Sequence, residues 1–274
     1  MTLEELHGEF EMLDEVFEDL RDSSGLVTLD IGSGAGSMVS YLVRKIGQER
    51  VFALDLFTGT LGLLKQKLSS EEMLKVVFMK ADLRRLDFLK DSFFDLVTAY
   101  DTLSVIELFT PEGTKDVLNE VYRILKPKGR FVAIEHLPIE LIKPADEAQK
   151  VGAEFWSMHT KLDKALGEPA GVEYTPQSLA KTVKDSGFKV SHWKELRTTY
   201  LEQYSGFEPI IGKRIQKVSD EKLKEDLLDE LEKIDKDGKK HGMRSIPHHV
   251  VYATKPFRAE RRKARLPALK ELYD

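Results

Sequence analysis

Apolar and polar positions along the chain fall into alternating blocks. Short, mostly apolar runs at residues 26–31, 51–56, 75–80, 94–99 and 130–136 have the length of buried strands. The segments 36–47, 58–68 and 112–125 between them read as helices, with a further short helix between the third and fourth strands. Thr110-Pro111 supplies a cap and a proline at the first helical position for 112–125, and Lys128-Gly129 closes that helix. Strands alternating with helices in this way predict an α/β fold with a doubly wound, mostly parallel sheet covered on both faces. Upstream, Leu3, Leu6, Phe10, Leu13, Phe17 and Leu20 recur at three- and four-residue steps, an apolar stripe on an N-terminal amphipathic helix over residues 1–24. It packs on the core or covers the cleft. Its polar face is acidic, which disfavours a membrane surface.

After the fifth strand the pattern departs from simple alternation. Asp146 to Leu166 reads as a helix carrying Phe155, Trp156, Met158 and His159, part of a helical cap near 140–175. Thr175-Pro176 caps a helix closing at Gly187, and Phe188 to Trp193 reads as a strand. The last strand, His248 to Ala253, follows only after about fifty residues, within which Leu223, Leu227, Leu231 and Ile234 mark an amphipathic helix. The organisation predicted is therefore a core of residues 25–196 and 247–256, a helical insertion at 197–246 and a basic tail at 257–274. There is no internal repeat.

The chemistry begins at Asp30-Ile31-Gly32-Ser33-Gly34-Ala35-Gly36, directly after the first strand, with Asp55 ending the second. A strand, a glycine turn, a helix and a strand delivering a carboxylate form the nucleoside-binding half of a doubly wound sheet. The third glycine arrives at Gly36, one position earlier than the nicotinamide fingerprint G-x-G-x-x-G requires. With Asp30 two residues before Gly32, the spacing resembles the first motif of the class I S-adenosylmethionine-dependent methyltransferases, D/E-x-G-x-G-x-G. Further stretches are similar to that family in order: Ala81-Asp82-Leu83, Phe94 to Asp101, Val121 to Gly129 and Arg130 to Glu135. The resemblance spans about residues 25 to 194, plus His248 to Lys255. It implies the family's seven-stranded sheet with added helices, and S-adenosylmethionine as cofactor. It further implies a cofactor site of Asp30, Gly32, Ser33, Gly34, Gly36, Asp55, Leu56, Asp82 and Leu83. Asp55 would hold the ribose and Asp82 would face the adenine amine.

Composition narrows the reaction. The 274 residues contain no cysteine. That excludes disulfides, thiolate metal sites and cysteine-ligated iron–sulfur clusters, and with them radical chemistry on the cofactor. It also excludes methylation at C5 of a pyrimidine through a cysteine adduct. In-line transfer to a lone pair or a stabilised carbanion remains. No apolar run reaches the ~20 residues of a membrane span, and the acidic start lacks signal-peptide character, so the expectation is a cytoplasmic protein. Charged residues make up 32% of the chain, rich in Glu and Lys, a mix that suits a hyperthermophile. The net charge of −5 is unevenly placed: residues 1–20 hold eight acids and no Lys or Arg, and residues 255–274 hold seven Lys/Arg against three acids.

Ligands of an open α/β sheet bind beyond the carboxyl ends of the strands. Tyr100-Asp101 and Glu135-His136 stand there, which makes Asp101, Tyr100 and His136 the catalytic candidates. Each has a structural alternative: Asp101 as a helix cap or backbone partner, His136 as a structural histidine, Tyr100 as core packing. The tip Tyr100-Asp101-Thr102-Leu103 lacks the prolines of the Asp/Asn-Pro-Pro-Tyr/Phe signature of amino-methylating nucleic-acid enzymes. Trp156, His159, Tyr174, Tyr200 and Tyr204 could receive an unstacked base or fill the cores of the extra helices. His241, His248 and His249 show no carboxylate–histidine pattern, and no metal site is read. The basic tail, the basic ends of the insertion (Lys213-Arg214, Lys217, Lys239-Lys240 and Arg244) and the aromatics favour RNA as acceptor. The chain is similar to the archaeal ribosomal-RNA cytidine dimethyltransferases, a resemblance that implies an amine of cytidine in ribosomal RNA. The partner is then ribosomal RNA or a ribosomal subunit. Resemblance to quinone- and sterol-type enzymes gives the alternative, a small-molecule acceptor enclosed by the cap. A non-enzymatic cofactor-binding module is the third reading.

Overall fold

A computed structural model of the full chain describes residues 11–20, 23, 25–168, 172–197, 206 and 208–257. Seven strands form one sheet: β1 (Thr28–Ile31), β2 (Val51–Asp55), β3 (Val76–Lys80), β4 (Phe94–Tyr100), β5 (Leu125–His136), β6 (Lys189–Leu196) and β7 (His248–Thr254). Their order is β3-β2-β1-β4-β5-β7-β6. The first five are parallel, and β7 runs antiparallel between β5 and β6. Chain order reverses between β1 and β4, so a crevice opens beyond their carboxyl ends.

The helices are α1 (Ser37–Arg44), α2 (Thr58–Lys67), α3 (Ser70–Met73), α4 (Leu103–Phe109), α5 (Gly113–Ile124), α6 (Glu147–Ala165), α7 (Pro176–Asp185), α8 (Glu208–Ile215) and α9 (Glu221–His241). Two apolar clusters cover the two faces of the sheet. One joins α1 and α2 to Leu13, Phe17 and Leu20 of the N-terminal segment, which packs on the core. The other joins α5 and α7 through Val117, Val121, Leu179 and Val183. A third cluster belongs to the cap alone and unites α6, α8 and α9 through Met158, Leu162, Ile215, Leu227 and Leu231. Gly152 of α6 lets the insertion return close by: a Cβ there would meet the Arg244 carbonyl oxygen at 2.1 Å. Among the described residues no helix is long and apolar enough to cross a membrane.

Three local expectations are corrected. Turns, not a helix, connect β3 to β4, and the short helix α3 lies before β3 instead. Thr110-Pro111 does not start a helix. Thr110 closes α4, and α5 begins at Gly113, where the Glu107 carboxylate accepts the Glu112 and Thr114 N–H groups. Finally, α5 ends at Ile124 and passes directly into β5, so Lys128-Gly129 lies within the strand.

Candidate active site

The glycine turn is shaped by its neighbours. Gly32, Gly34 and Gly36 all have positive φ, the region where a side chain is strained. A Cβ on Gly32 would meet Thr102 at 2.5 Å, and one on Gly36 would meet Leu64 at 2.1 Å. Gly34 faces open space, so its backbone can be approached by a ligand. Behind the turn, Asp30 is buried and accepts the Thr98 hydroxyl at 2.7 Å, while the Ser33 hydroxyl donates to the Asp30 carbonyl. Burial pushes the Asp30 carboxyl up to about 7.

A cavity of about 410 Å³ opens beyond β1, β2 and β4. Of the expected cofactor residues, Gly32, Gly34, Asp55, Leu56, Asp82 and Leu83 line it. Asp30, Ser33 and Gly36 do not, and act on it through the turn they hold. The Asp55 carboxylate accepts the Gly34 and Phe57 N–H groups, one on each oxygen and both at 2.8 Å. Each oxygen keeps a second lone pair, enough for the two hydroxyls of a ribose. Leu83, Val105, Ile106 and Phe109 give the cavity apolar walls suited to a purine. Asp82 is held by Arg84, which donates to both its oxygens from two side-chain nitrogens and to Oδ1 from its backbone N–H. These three hydrogens leave acceptor capacity on the carboxylate. Arg84 then reaches the Thr110 hydroxyl.

Asp101 lines the same cavity, with φ at 48°. Its Oδ1 accepts the His136 backbone N–H at 3.1 Å and lies 3.4 Å from His136 Nδ1. Its Oδ2 lies 3.1 Å from His248 Nε2. Burial opposes its charge, but the attraction of His248 and the hydrogen bonds from His136 and His248 hold the carboxyl well below the usual range. Burial likewise opposes a charged His136, and the hydrogen bond and charge of Asp101, with Glu135 and Glu173 behind, push it up. Asp101 does not cap α4. Glu135 does, its Oε1 accepting the Thr102 and Leu103 N–H groups at 3.1 and 2.7 Å. Burial and the nearby Asp101 push the Glu135 carboxyl up to about 7. Donor atoms of Asp101, Glu135 and His136 lie within 4.8 Å of one another. With Glu135 committed to two backbone N–H groups and Asp101 to two imidazoles, this set is organised to hold protons.

Tyr100 packs against the first core cluster, its ring 5.4 Å from His248, which favours the core-packing alternative. Trp156 stacks on His136 at 5.5 Å and 16°, so α6 brings an aromatic wall over the candidate base. His159 lies 3.0 Å from an Arg214 nitrogen and 3.2 Å from Asp163. The Tyr174 hydroxyl donates to Thr114. Tyr200 and Tyr204 lie outside the described residues. His248, for which the sequence shows no carboxylate–histidine pattern, finds its carboxylate in Asp101, 147 residues away. Glu135 and Trp156, read in the sequence as a strand-tip residue and a candidate aromatic, take their particular partners in the site from register and packing.

Residues 28–129 match the family described as "Methyltransferase domain". The demethylmenaquinone methyltransferase of Lactococcus lactis is 32% identical over 129 residues, 46% of this chain and 49% of that protein. The ubiquinone/menaquinone biosynthesis C-methyltransferase of Brucella anthropi is 30% identical over 169 residues, 60% of each chain. The chain thus spans half to three-fifths of these curated relatives. In fold it is similar to the magnesium protoporphyrin IX methyltransferase of Synechocystis, solved with bound SAH. That likeness has a TM-score of 0.52 at 16% identity, over 90% of this chain and 83% of that one.

Proposed function

We propose, from the premise that residues 28–129 form a class I S-adenosylmethionine-dependent methyltransferase domain, that the chain methylates a ring carbon of a small, flat phenolic or quinol acceptor. The observation that carries this reading is the contact of Asp101, a residue lining the cofactor cavity, with His136, on which Trp156 stacks. When bound, S-adenosylmethionine supplies a methyl group already activated on a sulfonium centre. The residues that would hold it are Gly34, Asp55, Leu56 and Leu83, with the Gly32–Gly36 turn behind them.

A ring carbon is a weak nucleophile until a neighbouring hydroxyl loses its proton. Asp101 beside Nδ1 fixes the His136 tautomer and leaves Nε2 to take that proton. The resulting phenolate shares its charge with the adjacent ring carbon. Once substituted, that carbon gives its own proton to solvent, the ring becomes aromatic again, and the ring oxygen recovers the proton held on His136. The His136 side chain is 17% exposed, enough to meet an acceptor while most water is kept away. Trp156 offers a parallel face for a planar ring. The names of the two curated relatives support a quinone-type acceptor.

The ribosomal-RNA reading has less support. Residues 258–274 of the basic tail lie outside the described residues. Of the basic positions at the ends of the insertion, Arg214 pairs with Asp163 and Glu168 and Arg244 with Asp146, which leaves these two less free for phosphates. Lys213, Lys217, Lys239 and Lys240 are exposed. The test is transfer of a radiolabelled methyl group to three acceptors: a demethylated quinol, total RNA and intact ribosomes. Label in the quinol is expected. Label in RNA or ribosomes with none in the quinol would overturn the proposal.

A further inference from the structure

The register of β5 and β7 pairs His136 with His248 and Glu135 with His249. Two imidazoles on neighbouring strands therefore face the single carboxylate of Asp101, one at each oxygen, at 3.4 and 3.1 Å. An ionised carboxylate only accepts hydrogen bonds, so the ring nitrogen facing each oxygen carries a hydrogen. The two rings differ in access. The His248 side chain is 7% exposed, beneath the Tyr100 ring, whereas His136 lies under the half-exposed Trp156.

We propose that His248 is a positioning residue that sets the basicity of His136 by engaging the far oxygen of Asp101. A hydrogen bond into Oδ2 draws charge away from Oδ1. The contact between Oδ1 and His136 Nδ1 weakens, and the imidazolium form of His136 loses part of its stabilisation. Without His248, the whole charge of Asp101 acts on His136 alone. The ring then holds its proton more firmly, so less of it is in the neutral, proton-accepting form near neutral pH.

The groups facing His136 are Asp101 after β4, Glu135 beside it on β5 and Glu173 ahead of α7. Facing it from β7 is His248, and from α6 Trp156, with His159 behind it; the buried His249 is paired with Glu135 instead. The three acids favour a charged ring. His248 is the one of these histidines that touches the carboxylate.

This inference rests on the reading of His136 as proton acceptor, and its test needs no methyl acceptor. The intact protein is labelled with ¹⁵N-histidine, and the ring resonances are followed by NMR as pH is varied. In His248→Ala the midpoint of His136 is expected to rise by about one pH unit, a tenfold change in its protonation equilibrium. His248→Gln, whose amide can still donate to Asp101, is expected to stay near the native value. An unmoved midpoint in a folded His248→Ala protein overturns the proposal. If that variant does not fold, the native spectrum decides: His248 Nε2 must carry a hydrogen at pH 8, and a bare Nε2 overturns it. A failed quinol assay with a shifted His136 midpoint would remove the acceptor reading and leave this one standing.

Discussion

Replacing Glu135 by Gln isolates one buried proton without altering the cofactor cavity. Glu135 is 1% exposed, and burial with the charge of Asp101 pushes its carboxyl up from 4.5 to about 7. A carboxyl raised in the folded state binds more protons there than in the unfolded chain over that interval. Its contribution is fully present below about pH 4.5 and is lost as pH rises through 7. The interval of roughly two and a half pH decades, at about 1.4 kcal/mol each, gives an upper bound of about 3 kcal/mol. Glutamine cannot ionise. Its carbonyl oxygen can still accept the Thr102 and Leu103 N–H groups, and Ser104 is at hand for its amide. Urea unfolding of both proteins at pH 5 and pH 8 reads the difference. The two should be close at pH 5, and Glu135→Gln should be more stable at pH 8 by up to about 3 kcal/mol. Asp30 is also raised, but it is common to both proteins and cancels in the comparison. A difference that does not change between pH 5 and pH 8 would refute the assignment of a raised carboxyl to Glu135.

Two further outcomes follow from the cofactor turn. Asp55→Ala removes the acceptor of the Gly34 and Phe57 N–H groups and of the ribose hydroxyls. Calorimetric titration with S-adenosylmethionine should show a loss of affinity of about 10- to 100-fold, and unchanged affinity would remove Asp55 from the cofactor site. Gly36→Ala places a methyl group 2.1 Å from Leu64 Cδ1 at a φ of 89°. Overpacking and backbone strain together should cost about 2–4 kcal/mol, and a thermal melt indistinguishable from wild type would contradict the close approach.

The sheet was legible because β1, β2, β4 and β5 are apolar runs that end at turn residues, and each strand's signal lies within its own few residues. α4 was not. Leu103 to Phe109 is a short, nearly continuous apolar segment, and its first turn is capped by Glu135, 32 residues away. The false start at Thr110-Pro111 has the same origin, since a carboxylate from the preceding helix replaced the local cap. In the site, Asp55 could be read from its spacing after the glycines. The partnership of Asp101 with His248 could not, because it exists only once β7 is paired with β5. The Arg84 contact with Asp82 was likewise not legible, because it is a matter of side-chain reach.

The separate apolar cluster of the cap has a consequence for how such a protein changes over generations. Substitutions among Met158, Leu162, Ile215 and Leu231 alter the pitch of α6, and hence where Trp156 lies, without disturbing the layers that hold the glycine turn and Asp55. On the proposed reading, acceptor choice and donor binding rest on two mechanically separate supports, so a lineage can rework the first while its hold on the methyl donor passes on intact.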